Sequence, residues 1–130
     1  MERTAIIAAV GLAIALSLPA SAQSLSPMRQ VVTSFNDEFA IRVFPKNPYR
    51  HRIRMEVRVY DQNFRLIPAN VSPKVMLMGA GSSRPVTVVI PFGDKEEKRV
   101  RICAESIPFT NRPQIIKAQV CGRFYAIKRN

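Results

Sequence analysis

Side chains able to do chemistry are few in this chain of 130 residues, which has one histidine and two cysteines. A metal centre of the usual kind draws three or four ligands from His, Cys and carboxylates. His51 has neither a second histidine nor a nearby cysteine to complete such a set, so it reads as a histidine at a sheet edge. No Ser/His/acid arrangement has a supporting context, and no Gly-rich phosphate loop is present. The expectation is therefore no enzyme, no catalytic residue, no cofactor and no metal. Cys103 and Cys121 lack a C-x-x-C spacing, which argues against a catalytic dithiol. The strongest local charge feature is Arg50, Arg52, Arg54 and Arg58, interrupted by Glu56. On a strand such side chains stand about 6.8 Å apart on one face. They could contact an anionic surface polymer or a lipid headgroup, or only keep a sheet face solvated. No aromatics interleave for base stacking, and a nucleic-acid partner is not expected.

The elements that position these residues begin after residue 22. An apolar run from Ala5 to Leu18 follows a charged start, Pro19 breaks it, and Ala20-Ser21-Ala22 supplies small residues. This order predicts a cleaved secretory signal peptide over residues 1–22, with Gln23 the first mature residue of an exported chain. The signal holds one acid, Glu2, and one base, Arg3, so the remainder keeps the formal net charge of +11. Residues 23–130 then form one small domain. Ten prolines and no tryptophan argue against a helical bundle.

Short runs of β-branched and aromatic residues recur between turn markers. The expected strands are Met28–Phe35, Phe39–Phe44, His51–Val59, a short return at Phe64–Ile67, Val75–Met78, Val86–Ile90, Arg99–Ala104 and Ile115–Ile127. The third is the clearest: His51, Ile53, Met55, Val57 and Val59 alternate with polar residues, so one face is core. Met55, Met76 and Met78 read as core filler. Strands at this spacing point to an all-β fold, a single Ig-like β-sandwich. In an exported protein Cys103 and Cys121 are most simply one disulfide, facing each other if the last two strands pair antiparallel.

Several segments resemble the N-terminal domain of the periplasmic pilus chaperones, the PapD-like family, in a single-domain form. They are Leu25-Ser26-Pro27-Met28-Arg29, Ser72-Pro73-Lys74-Val75-Met76-Leu77 with Gly79-Ala80-Gly81-Ser82-Ser83, Arg99-Val100-Arg101-Ile102-Cys103 with Ile107-Pro108, and Cys121-Gly122-Arg123-Phe124-Tyr125. The resemblance implies a seven-stranded Ig-like sandwich. It also implies a chaperone that binds an extended segment of a protein client, such as a pilus subunit, by strand addition. On the matching positions, Arg29 and Arg123 would anchor the client's terminal carboxylate, with Arg123 standing where the family has Lys. Cys121 and Arg123 share a parity, so the opposite face of the last strand, Ile116, Ala118 and Val120, is expected to be the outward donor face.

Overall fold

The computed structural model describes residues 24–107 and 118–130. The expected signal peptide, Gln23, Ile116 and the loop expected between Pro108 and Pro113 lie outside them. The described residues form strands β1 (Ser24–Ser26), β2 (Arg29–Ser34), β3 (Glu38–Lys46), β4 (Ile53–Tyr60), β5 (Asn70–Ser72), β6 (Val75–Met78), β7 (Val86–Pro91), β8 (Glu97–Ile107) and β9 (Gln119–Lys128). Two sheets pack face to face, one in the order β1-β3-β7-β5 and the other β2-β9-β8-β4-β6. This is the Ig-like sandwich that the strand pattern predicts.

Nine strand segments and an expectation of seven strands agree once two breaks are recognised. Pro27 separates β1 from β2, and Pro73 lies between β5 and β6. Proline has no N–H to give a ladder, so pairing stops there. At each break the chain passes from the four-stranded sheet to the five-stranded one. The N-terminal strand thereby pairs first antiparallel with β3 and then parallel with β9.

Alternation supplies the core. In β3, Phe39, Ile41 and Val43 point inward; in β4, Ile53, Met55, Val57 and Val59 do. Val86, Val88 and Ile90 of β7 meet Val100, Ile102 and Ala104 of β8 and Phe124 and Ala126 of β9 in one cluster. Met55, Met76 and Met78 are buried in it, as their pattern suggested. Two expectations need correction. His51 precedes β4 in an exposed bend, its ring edge-on to Tyr49 at 5.4 Å. The return at Phe64–Ile67 is a single bridge between Tyr60 and Leu66 rather than a strand, because Phe64 turns the backbone to φ 59° and Pro68 ends the pairing.

Candidate functional site

Strand register assembles a basic row across the outer face of the five-stranded sheet. Arg29 of β2 is the direct partner of Arg123 of β9, and Arg123 is the direct partner of Arg101 of β8. Directly paired residues share a face, and inward Val100, Ile102 and Phe124 fix that face as the outer one. Arg99 stands one same-face step along β8, opposite Tyr125. The four arginines line a cleft of about 780 Å³ to which, among the described residues, no Asp or Glu contributes.

Local structure holds these groups in place. The carbonyl of Met28 accepts a hydrogen bond from the Arg123 N–H at 2.8 Å, which joins the start of β2 to β9. Gly122 permits this approach, since a Cβ there would lie 2.8 Å from the buried Phe124 ring and 3.0 Å from the Met28 oxygen. The Arg99 guanidinium lies 4.3 Å over the Tyr125 ring, and that of Arg101 lies 4.3 Å over Phe64. The turn carrying Phe64 is organised by Asp61, whose Oδ1 accepts the N–H groups of Asn63 at 2.8 Å and Arg65 at 3.0 Å. The Arg65 bond, with a smaller share from Asn63, holds the Asp61 carboxyl below its ordinary value. The Arg101 Nε is buried and has no hydrogen-bond partner among the described residues. Tyr125 is pushed up mainly by its hydrogen bond to Glu97.

Beside the row, Cys103 and Cys121 are direct partners on β8 and β9, joined in a disulfide with Cα atoms 4.0 Å apart. The expected pairing is present. One further step along, the Glu105 carboxylate is 2% exposed. Its Oε1 accepts from Tyr60 Oη and Gln119 Nε2, both at 2.6 Å. Burial, and then the Glu105 bond, pushes the Tyr60 hydroxyl above its ordinary value. Arg58 pairs with Glu56 at 3.0 Å and approaches Glu105 at 3.9 Å; the Glu56 contact raises its guanidinium further above the usual range.

This placement changes the reading of the other charge feature. Arg54 and Arg58 are half-buried on β4, whereas Arg50 and Arg52 are exposed just before it. The four are not one row on one strand, and Arg58 is neutralised by Glu56. The last strand also needs a correction. Val120 is half-buried and packs on the core cluster, because it shares parity with Phe124 and Ala126, which are buried. Ala118, of the same parity, is half-buried. The outward face of β9 carries Gln119, Cys121, Arg123 and Tyr125 instead. Arg99 and Arg101 were missed as site residues; their Arg-x-Arg spacing was the available signal, but only the register with β9 sets them beside Arg123.

β9 pairs with β8 from Gln119 to Ile127, but with β2 only from Arg123 onward. Among the described residues, Gln119–Gly122 therefore have no strand partner on their second edge. That open ladder ends at the Arg29–Arg123 pair.

No protein-family model matches the chain, and no curated protein matches it. Among solved structures it is similar to the E. coli chaperone DraB, with TM-score 0.68 and 15% identity over 82% of this chain and 55% of that one. It is similar also to a chain of the Salmonella enterica SafA pilin–SafB chaperone complex, with TM-score 0.69 and 16% identity over 82% and 54%. The PapD-like domain 7 of human CEP192 matches with TM-score 0.59 and 11% identity, over 86% of this chain and 88% of that domain. The chain thus spans just over half the length of the two bacterial chains. Likeness at these identities shows the fold, a PapD-like Ig-like β-sandwich.

Proposed function

We propose that this domain binds an extended segment of another exported protein by strand addition, as a periplasmic chaperone, and makes or breaks no covalent bond. The observation that carries the reading is the juxtaposition of the open Gln119–Gly122 ladder with the Arg29–Arg123 pair at its end. Main-chain hydrogen bonds to the ladder supply affinity without demanding a sequence. Two planar guanidinia on adjacent strands can meet a terminal carboxylate with bidentate hydrogen bonds, which fixes where the segment ends. The SafB chaperone, in the complex this chain resembles, is held with a pilin, and a pilus-type subunit is the client class we favour here. Val120 lies against the domain's own core, so the ladder and the anchor, rather than a row of donated apolar side chains from Ile116 to Val120, account for binding in this conformation.

The test is titration of an extended apolar peptide, with free or amidated C-terminus, into the wild-type domain and Arg123→Ala. Removing one partner of a charge-assisted pair costs about 2–5 kcal/mol. Arg123→Ala and amidation should each weaken binding at least about tenfold, not additively, while the thermal midpoint stays near wild type because Arg123 is exposed. Equal affinity in all four combinations would refute the anchor.

A further inference from the structure

The cleft above β2, β9 and β8 holds more guanidinia than one terminal carboxylate can engage. A carboxylate's two oxygens present about four acceptor sites, which two bidentate guanidinia, those of Arg29 and Arg123, would fill. Arg101 stands directly opposite Arg123, and Arg99 follows one same-face step along β8. No ion pair ties any of the four to a carboxylate among the described residues, and no acidic side chain lines the cleft. Like charges gathered so closely oppose one another unless an anion joins them.

Arg99 and Arg101 are also held ready. Each planar group lies 4.3 Å over an aromatic ring, Tyr125 and Phe64 respectively. Stacking fixes the guanidinium plane and leaves its N–H edges for another partner. The Arg101 Nε is buried with no hydrogen-bond partner among the described residues, and a buried donor gains from an acceptor placed against it. Phe64, which carries the ring under Arg101, has φ 59°, a conformation strained for a bulky side chain.

The geometry points to a second anionic subsite, formed by Arg99 and Arg101, that takes the side-chain carboxylate of a client whose last residue is Asp or Glu. It rests on the strand-binding reading above and names the client that reading leaves open. Neighbouring strands lie about 4.8 Å apart and same-face steps about 6.8 Å, a span that the two carboxylates of one terminal acidic residue can cover. The domain's formal net charge of +11 favours the approach of such an end.

Three peptides of one alternating apolar sequence provide the probe: one ending in Glu, one in Ala, both with free carboxylates, and one ending in Ala amide. Calorimetric titration compares the wild-type domain with Arg99→Gln and Arg99→Gln/Arg101→Gln, each checked by thermal unfolding. Wild type should bind the Glu-ended peptide about tenfold tighter than the Ala-ended one. Arg99→Gln should reduce that preference, and the double variant should abolish it while amidation still weakens binding of the Ala-ended peptide through Arg29 and Arg123. Equal wild-type affinity for the Glu and Ala ends, with amidation still harmful, overturns this subsite and leaves strand binding standing. Indifference to amidation and to the last residue overturns both. Binding of phosphatidylglycerol vesicles through Arg99 and Arg101, with no preference among peptides, overturns the inference in favour of a membrane anion. The wild-type comparison decides the matter even if the double variant fails to fold.

Discussion

Replacing Cys103 and Cys121 together by alanine separates what the disulfide does for the fold from what it does for binding. The bond links positions 18 residues apart. In the chain-entropy model a loop of that size restricts the unfolded ensemble by about 3 kcal/mol at 25 °C. A domain this small has a total stability of about 5–15 kcal/mol, so the loss is a large share. With each kcal/mol worth about 4–8 °C in a domain of up to 100 residues, the midpoint should fall by about 12–24 °C. The same bond sits one register step from the Arg101–Arg123 pair, yet β8 and β9 remain joined by pairs running from Glu97–Ile127 to Glu105–Gln119. Well below its midpoint the variant should therefore keep its peptide affinity within about tenfold. Circular dichroism melts of the oxidised, reduced and double-alanine proteins, followed by titration at low temperature, measure both quantities. A midpoint drop under about 4 °C would refute the loop argument and show that the ladder alone limits the unfolding. A large loss of cold affinity would show that the bond, and not the ladder, sets the anchor's position.

Gly122→Ala should cost about 1–3 kcal/mol and weaken carboxylate binding as well, because the added methyl meets the buried Phe124 ring and the Met28 carbonyl that positions Arg29; denaturant titration and peptide binding check the two effects. The carboxyls of Asp37 and Asp61 are both held below their ordinary value, the first by the Lys128 ammonium and the second chiefly by the Arg65 N–H. A depressed folded value means that this stability is present above the unfolded value near pH 4 and is lost as the pH falls through the folded values. Melts across pH should therefore decline below about pH 4 and decline less in Asp37→Asn/Asp61→Asn. The Asp37 share should shrink more in about 0.5 M salt, because its partner is a side-chain charge. Backbone N–H groups carry most of the Asp61 share, and the Arg65 and Lys95 charges only a smaller part.

Local pattern made much of this fold legible. The alternation from Ile53 to Val59 gives β4 and its buried face directly, and Val75–Met78 has the bounds that its sequence suggests. The Cys103–Cys121 pairing follows from compartment and adjacent strands. Parity within β9 was legible too, since Cys121 and Arg123 do share a face. Which face was core was not read correctly: Phe124 and Ala126, on the side of Val120, decide it. The anchor row shows the limit of local reading. Arg29, Arg101 and Arg123 are far apart in sequence and become neighbours only through a parallel and an antiparallel register. Phe64 is harder still, for nothing in its neighbours' alternation announces a left-handed backbone.

The position of the site follows from the break at Pro27. A continuous strand on one sheet could run beside β9 along its whole length; a strand that spends Ser24–Ser26 on the other sheet reaches β9 only at Arg123. Among the described residues the edge that results has no partner at Gln119–Gly122, and such an edge is a hazard, since an open ladder pairs with any extended chain, including another copy of itself. Here the edge ends beneath four guanidinia. A second copy would bring its own basic cleft toward this one, and like charges resist that approach. Under the proposed function, the same charge draws an extended segment that ends in a carboxylate. On the strand-addition reading proposed above, one strand break and one basic row would make the edge available while restricting what joins it, with selectivity lying in charge because the main-chain ladder itself offers none.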